Sequence, residues 1–223
     1  MSTVAHAVRI PVDDVELDAD VVTPDEPVGV VLFAHGSGSS RASPRNRAVA
    51  MVLHDAQFAT VLVDLLTERE ALADSVTAQF RFNLDLLARR LIGIVDWLTT
   101  YEGVAHLPIG LYGASTGSAG AIVAAAARDG VVRAVVSRGG RPDLAREFLR
   151  LVWQPTLLIV GELDGVVLDL NRDALRELPG EAQLEIVPDA THLFEEPGAL
   201  ERVAQSACAW FTRHVAVARP SAP

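Results

Sequence analysis

Gly113-Ala114-Ser115-Thr116-Gly117 decides how this chain is read. An apolar run, Leu107–Tyr112, leads into it, and an alanine-rich stretch, Thr116–Arg128, leads out. The first predicts a buried strand and the second a helix, so the pentapeptide is a strand-to-helix turn. A side chain two residues before or after the serine would collide with neighbouring chain, and glycine fits there. Such a turn lifts the Ser115 hydroxyl above the sheet edge. It also aims the Thr116 N–H and the positive end of the next helix at the same point. An ordinary Gly/Ser turn is the competing reading, so the surroundings have to decide.

Working outward, apolar β-branched runs alternate with helical patterns. Ala5–Ile10 and Val15–Val22 predict an antiparallel edge pair, followed by a strand at Val28–Ala34. A helix opens at Ser43-Pro44 and runs to about Gln57; strand Ala59–Leu65 and helix Phe82–Tyr101 come next. Strands at Val131–Ser137, Thr156–Val160 and Gln183–Val187 complete the series. Helices near Asp143–Leu151, Leu168–Glu177 and Gly198–Val215 fill the gaps. Leu66–Phe80 has weak periodicity and reads as a loop or short helix. Alternation of this kind predicts an α/β fold: a mostly parallel sheet with helices on both faces and ligands at the strand C-termini. One domain over residues 1–215 is expected, with little or no cap, and a flexible tail over 216–223.

Three further strand ends carry polar residues suited to acyl chemistry. His35-Gly36-Ser37-Gly38-Ser39-Ser40 follows Val28–Ala34, and its backbone N–H groups, Ser37 foremost, can pair with Thr116 as an oxyanion hole. A dinucleotide loop is the rival reading, but the third small residue is missing from its place. Gly161-Glu162-Leu163-Asp164-Gly165 follows Thr156–Val160. Asp164 is the candidate acid there, with Glu162 and Asp169 as rivals. Asp189-Ala190-Thr191-His192-Leu193-Phe194 follows Gln183–Val187 and offers His192 as base. The order Ser115, Asp164, His192 is the nucleophile, acid, base order of α/β-hydrolases.

On these motifs the stretch from about Val28 to Val215 resembles a small dienelactone hydrolase-like member of the α/β-hydrolase superfamily. The resemblance implies cofactor-free hydrolysis of an ester or related acyl compound, in the carboxylic ester hydrolase class. It departs from dienelactone hydrolases proper in one respect, since those use a cysteine nucleophile and this chain has serine. The dienelactone substrate is therefore not carried over. The segment Gly36–Arg47 also resembles a bacterial subgroup whose members sometimes occur fused to a phosphoribosyltransferase-like domain; no such second domain is expected in these residues.

Composition narrows the alternatives. The net charge is -10, the reverse of a nucleic-acid binder's usual balance. All 19 basic residues are arginine. With no lysine, neither a Schiff base nor a phosphate-loop lysine can form. Cys208, the one cysteine, reads as a small apolar filler. No metal is expected, because the histidines lack ligand spacing. No membrane span or signal peptide is read, so a cytoplasmic monomer or homodimer is expected. Arg41, Arg45 and Arg141 would read a carboxylate or phosphate on a small acyl substrate, or else pair with surface acids. Phe80, with Leu65, Leu66 and Phe82, is a candidate for an acyl pocket. A non-catalytic ligand-binding or regulatory module on the same fold is the alternative to a serine hydrolase.

Overall fold

Six-residue runs without a charged side chain make the centre of the sheet, because only apolar strands can be buried on both faces. In the computed structural model, which describes residues 5–217, the order begins β1 (Ala5–Val12), β2 (Val15–Val22), β3 (Gly29–Ala34), α1 (Pro44–Asp55), β4 (Phe58–Val63) and α2 (Glu68–Thr77). It continues with α3 (Leu84–Leu98), β5 (Ile109–Ala114), α4 (Gly117–Ala127), β6 (Val132–Arg138) and α5 (Arg146–Leu149). The last elements are β7 (Thr156–Gly161), α6 (Gly165–Glu177), β8 (Ala182–Val187) and α7 (Ala199–His214). The eight strands form one sheet in the order β1-β2-β4-β3-β5-β6-β7-β8. β1 and β2 pair antiparallel, as does β2 with β4; every other pair is parallel.

Each face of the sheet is covered by its own apolar cluster. Leu87, Leu91 and Ile94 of α3 and Ile122 of α4 pack on Val30, Leu32 and Leu111. On the other face Val49 and Leu53 of α1 and Val203 and Phe211 of α7 pack on Val31, Phe33 and Val136. Each such side chain fully withdrawn from water contributes about 1.5–3 kcal/mol. α2 adds no apolar residue to either cluster; Asp74 is its buried residue. Among the described residues no helix is long and apolar enough to cross a membrane.

Element boundaries depart from the sequence reading where polar partners intervene. β4 stops at Val63 because the Leu65 N–H goes to His35 Nε2 (3.0 Å). The long helix starts at Leu84, not Phe82, since Asn83 caps it by accepting the Leu86 N–H (3.1 Å). The helix expected over Asp143–Leu151 is a 3-10 turn, Pro142–Ala145, and a single α turn. Leu66–Phe80 holds a real helix, α2, closed at its start by Thr67 and Glu70 in a capping box. The expected tail lies outside the described residues from position 218; ahead of that, the Val217 N–H bonds to Val28 O at 2.8 Å.

Candidate active site

Ser115 sits between β5 and α4 with φ +50°, a left-handed conformation that serine rarely adopts. The surrounding backbone holds it there. Its N–H donates to Arg138 O (3.0 Å), and its carbonyl accepts from the Ser118 N–H (3.1 Å) and Ser118 hydroxyl (2.7 Å). Both flanking glycines are sterically required. A Cβ on Gly113 would come within 2.4 Å of Ser118 Cα, and one on Gly117 within 2.3 Å of Ala34 O.

His192 reaches the serine from the loop after β8. Its Nδ1–H donates to Asp164 Oδ2 at 2.6 Å, leaving Nε2 as the acceptor for Ser115 Oγ at 3.3 Å. Asp164 occupies the cap position of α6, yet its side chain makes no capping bond and turns to the imidazole instead. The rivals are occupied elsewhere. Glu162 accepts the Asp189 N–H (3.1 Å), and Asp169 pairs with Arg172 at the exposed surface (2.9 Å). Gly139 is held at φ +53°, a conformation that strains side chains, and a Cβ there would stand 3.3 Å from the His192 carbonyl oxygen.

The glycine-rich loop is bound to the elbow by a directed chain of hydrogen bonds. The Ser37 N–H donates to Thr116 Oγ1 (2.8 Å); the Thr116 hydroxyl then donates to Ser37 Oγ (2.8 Å), which donates to Arg81 O (3.1 Å). Of the two expected oxyanion donors, the Thr116 N–H therefore has no protein acceptor among the described residues, while that of Ser37 is engaged. His35 pins the base of this loop. Its Nδ1–H donates to Gly36 O (2.9 Å) and its Nε2 accepts from Leu65. Burial lowers its pKa, against smaller opposing effects of Gly36 and Asp64, so the ring is neutral as this bonding requires.

A cavity of about 730 Å³ opens beside the loop, lined by Gly36, Ser37, Arg41, Leu65, Leu66 and Arg81 among others. The residues expected to read substrate are divided. Arg41 lines this cavity but is bound to Asp64 and lies 3.4 Å from Asp20. Arg45 pairs with Glu195 (3.3 Å), and Arg141 clamps Asp143 with two bonds (2.8 and 2.7 Å). Leu65 and Leu66 line the cavity; Phe80 does not, and Phe82 is 65% exposed. Sequence reasoning did not single out Asp74, which orients Arg81 through Nε (2.6 Å), nor Glu70, which holds Arg90 with two bonds of 2.7 Å. Burial acts to raise the Glu70 pKa, but bonds from Arg90 and Thr67 outweigh it and the net shift is downward. The Thr67-x-x-Glu70 pattern was the available signal for the helix that carries Asp74.

A crystal structure of a dienelactone hydrolase from Anabaena variabilis is 53% identical to this chain. The alignment covers 96% of this chain and 99% of that one, with a TM-score of 0.94. The chain belongs to the dienelactone hydrolase family. Membership makes it a hydrolase of α/β-hydrolase fold. Est1E from Butyrivibrio proteoclasticus shares that fold at 17% identity, covering 93% of this chain and 98% of its own, with a TM-score of 0.78. Curated proteins from two strains of Mycobacterium tuberculosis are 53% identical over 214 residues, 96% of this chain, and carry a provisional phosphoribosyl transferase name. The chain spans about half the length of those relatives, 47%. No family model matches.

Proposed function

We propose that this hydrolase cleaves a small ester, thioester or lactone through an acyl-enzyme on Ser115. The observation that carries the reading is the continuous path Ser115 Oγ–His192 Nε2–Nδ1–Asp164 Oδ2, with separations of 3.3 and 2.6 Å. His192 takes the serine proton as Oγ attacks the substrate carbonyl carbon, and Asp164 stabilises the resulting imidazolium. The tetrahedral oxyanion is held by the Thr116 N–H, backed by the N-terminus of α4, and by the Ser37 N–H once it leaves Thr116 Oγ1. Collapse expels the leaving group, which takes the proton from His192. Water then repeats the sequence on the acyl-enzyme, releasing the acid and restoring Ser115.

Ser115, Thr116, Asp164 and His192 do not line the cavity beside the glycine-rich loop; it meets the site at Gly36 and Ser37, where it would take the part of a small, polar substrate remote from the reacting bond. Its wall combines the hydroxyls of Ser39, Ser40 and Ser75 with Leu65 and Leu66. Arg81 is fixed there by Asp74 through Nε and Nη2, while its Nη1 lies 3.6 Å from where a Gly38 Cβ would stand. Arg81 is paired with Asp74 as Arg41, Arg45 and Arg141 are with other carboxylates, and Asp18, Asp64, Glu68 and Asp74 share the cavity wall, so a neutral ester suits it better than an anionic one.

The test is turnover of p-nitrophenyl acetate together with labelling by a fluorophosphonate probe. Ser115→Ala should lose both while retaining its melting temperature. Wild-type rates in Ser115→Ala would overturn the mechanism. Absence of turnover and labelling in the unmutated chain would favour a non-catalytic ligand-binding module.

A further inference from the structure

Behind the elbow, on the α1/α7 face, lies a guanidinium with no acid beside it. Arg138 is 5% exposed. Its Nη2 donates to Asn46 Oδ1 at 3.4 Å, its Nε has no hydrogen-bond partner, and among the described residues it pairs with no carboxylate. Its Cζ stands 5.8 Å from the centre of the Phe194 ring. Burial pushes the pKa of the Tyr112 hydroxyl up, against a smaller lowering effect of Arg138, against which it lies; Arg45 Nε and Glu196 Oε2 are also buried without a hydrogen-bond partner. Every other arginine in the site wall is neutralised by a carboxylate. Arginine stays charged at any pH of interest, and a buried charge is ordinarily paired. An unpaired one is costly to keep, so its position calls for a physical reason.

That position joins the nucleophile to the base. The Arg138 carbonyl receives the Ser115 N–H, and Arg138 lies beside Ala114 in the sheet register. Its side chain supports Phe194, two residues beyond His192. Phe194 has φ +57° and is 1% exposed, so a bulky residue is held in a left-handed turn by the seat around its ring. We propose that Arg138 is a positioning residue for His192, acting through Phe194. The proposal rests on His192 being the base. α7 adds apolar Ala199 and Val203 to the cluster holding Phe194.

The experiment is NMR of the His192 Nδ1–H proton in the full chain, alongside kcat and KM, read separately, for p-nitrophenyl acetate. Arg138→Met should lower kcat about tenfold with KM unchanged, and should speed exchange of the His192 Nδ1–H, held on Asp164 at 2.6 Å, with water about tenfold. Arg138→Lys should return both towards wild type. Unchanged kcat and exchange in a folded Arg138→Met protein overturn the proposal. The exchange reading needs no turnover, so an inactive wild type would defeat the hydrolase reading while the exchange rate still decides this one. If Arg138→Met does not fold, Phe194→Leu tests the same positioning, and unaltered kcat and exchange there overturn the proposal.

Discussion

The two sides of Ser115 are held by different means. On the side of the glycine-rich loop, neutral groups and backbone fix the stretch that meets the elbow, with the Arg41–Asp64 and Arg81–Asp74 pairs lying beyond it. His35 bonds Gly36 and Leu65, Ser37 bonds Thr116, and Gly117 lies directly against Ala34 and His35. On the side of His192, charged side chains do so. Asp164 meets the imidazole at 2.6 Å, Arg45 meets Glu195, and Arg138 lies beneath Phe194. The first side is suited to a fixed set of N–H donors, whose value lies in not moving. The second must accommodate a proton arriving and leaving, which calls for charge close by. Variants on the second side should therefore affect rate more than stability, and variants on the first the reverse.

The largest effect that would sharpen this contrast is on the histidine side. Asp164→Asn should lower kcat by about 10³–10⁴-fold, because an amide cannot hold the same tautomer and stabilise imidazolium. The melting temperature should change little, since Asp164 contributes no cap to α6. Kinetics with p-nitrophenyl acetate and a thermal melt read both quantities, and a large drop in melting temperature would break the contrast. Next in size is Gly117→Ala on the other side. The new methyl would have to displace the Ala34 and His35 carbonyls, at 2.3 and 2.5 Å, so a loss of about 3 kcal/mol in urea unfolding is expected. Retained stability would mean that elbow and β3 are not in firm contact.

A smaller effect concerns His35 and pH. Burial holds its pKa below the ordinary 6.5, so the unfolded chain binds more protons than the folded one just below that pH. Its stabilising contribution is intact above about 6.5 and declines as pH falls, by at most about 1.4 kcal/mol per unit. His35→Gln should thus show a shallower loss of unfolding free energy between pH 7.5 and 5.5. His54 and His214 are also lowered by burial and act alike in both proteins, so the difference isolates His35. Equal slopes would show that His35 titrates freely.

Much of this site was legible in sequence because it sits at strand ends, where local pattern and position coincide. Ser115 and Asp164 each follow an apolar run that the sheet buries, and His192 follows the partly exposed edge strand β8. What was not legible depends on pairings across long stretches of chain. Arg45 and Glu195 lie 150 residues apart, and Ser37 and Thr116 79 apart, and no local pattern announces either. α2 was missed as a definite helix for another reason. Periodicity reports an apolar face packed on a core, and α2 is held instead by its capping box, Asp74–Arg81 and Glu70–Arg90. Arg138 could be placed near the site by its position after a strand, but its burial was hidden by its type, since an arginine there reads as surface until the structure shows it 5% exposed.

The smallest expected effect bears on the oxyanion side, where the contrast is most open to revision. In the free enzyme the Ser37 N–H is satisfied by Thr116 Oγ1 at 2.8 Å, so it can serve a tetrahedral intermediate only by giving up that bond. A neutral hydrogen bond of this kind is worth about 1 kcal/mol net. Thr116→Val keeps the shape and removes the competing acceptor, while leaving the Thr116 backbone N–H in place. If Ser37 is an oxyanion donor, kcat/KM should rise by a factor of about five, the part of the barrier formerly spent on breaking the internal bond. A fall of tenfold or more would mean that the threonine hydroxyl itself faces the reacting oxygen. The glycine-rich side would then work through a movable side chain, and the division between a fixed and a charged flank of Ser115 would not hold.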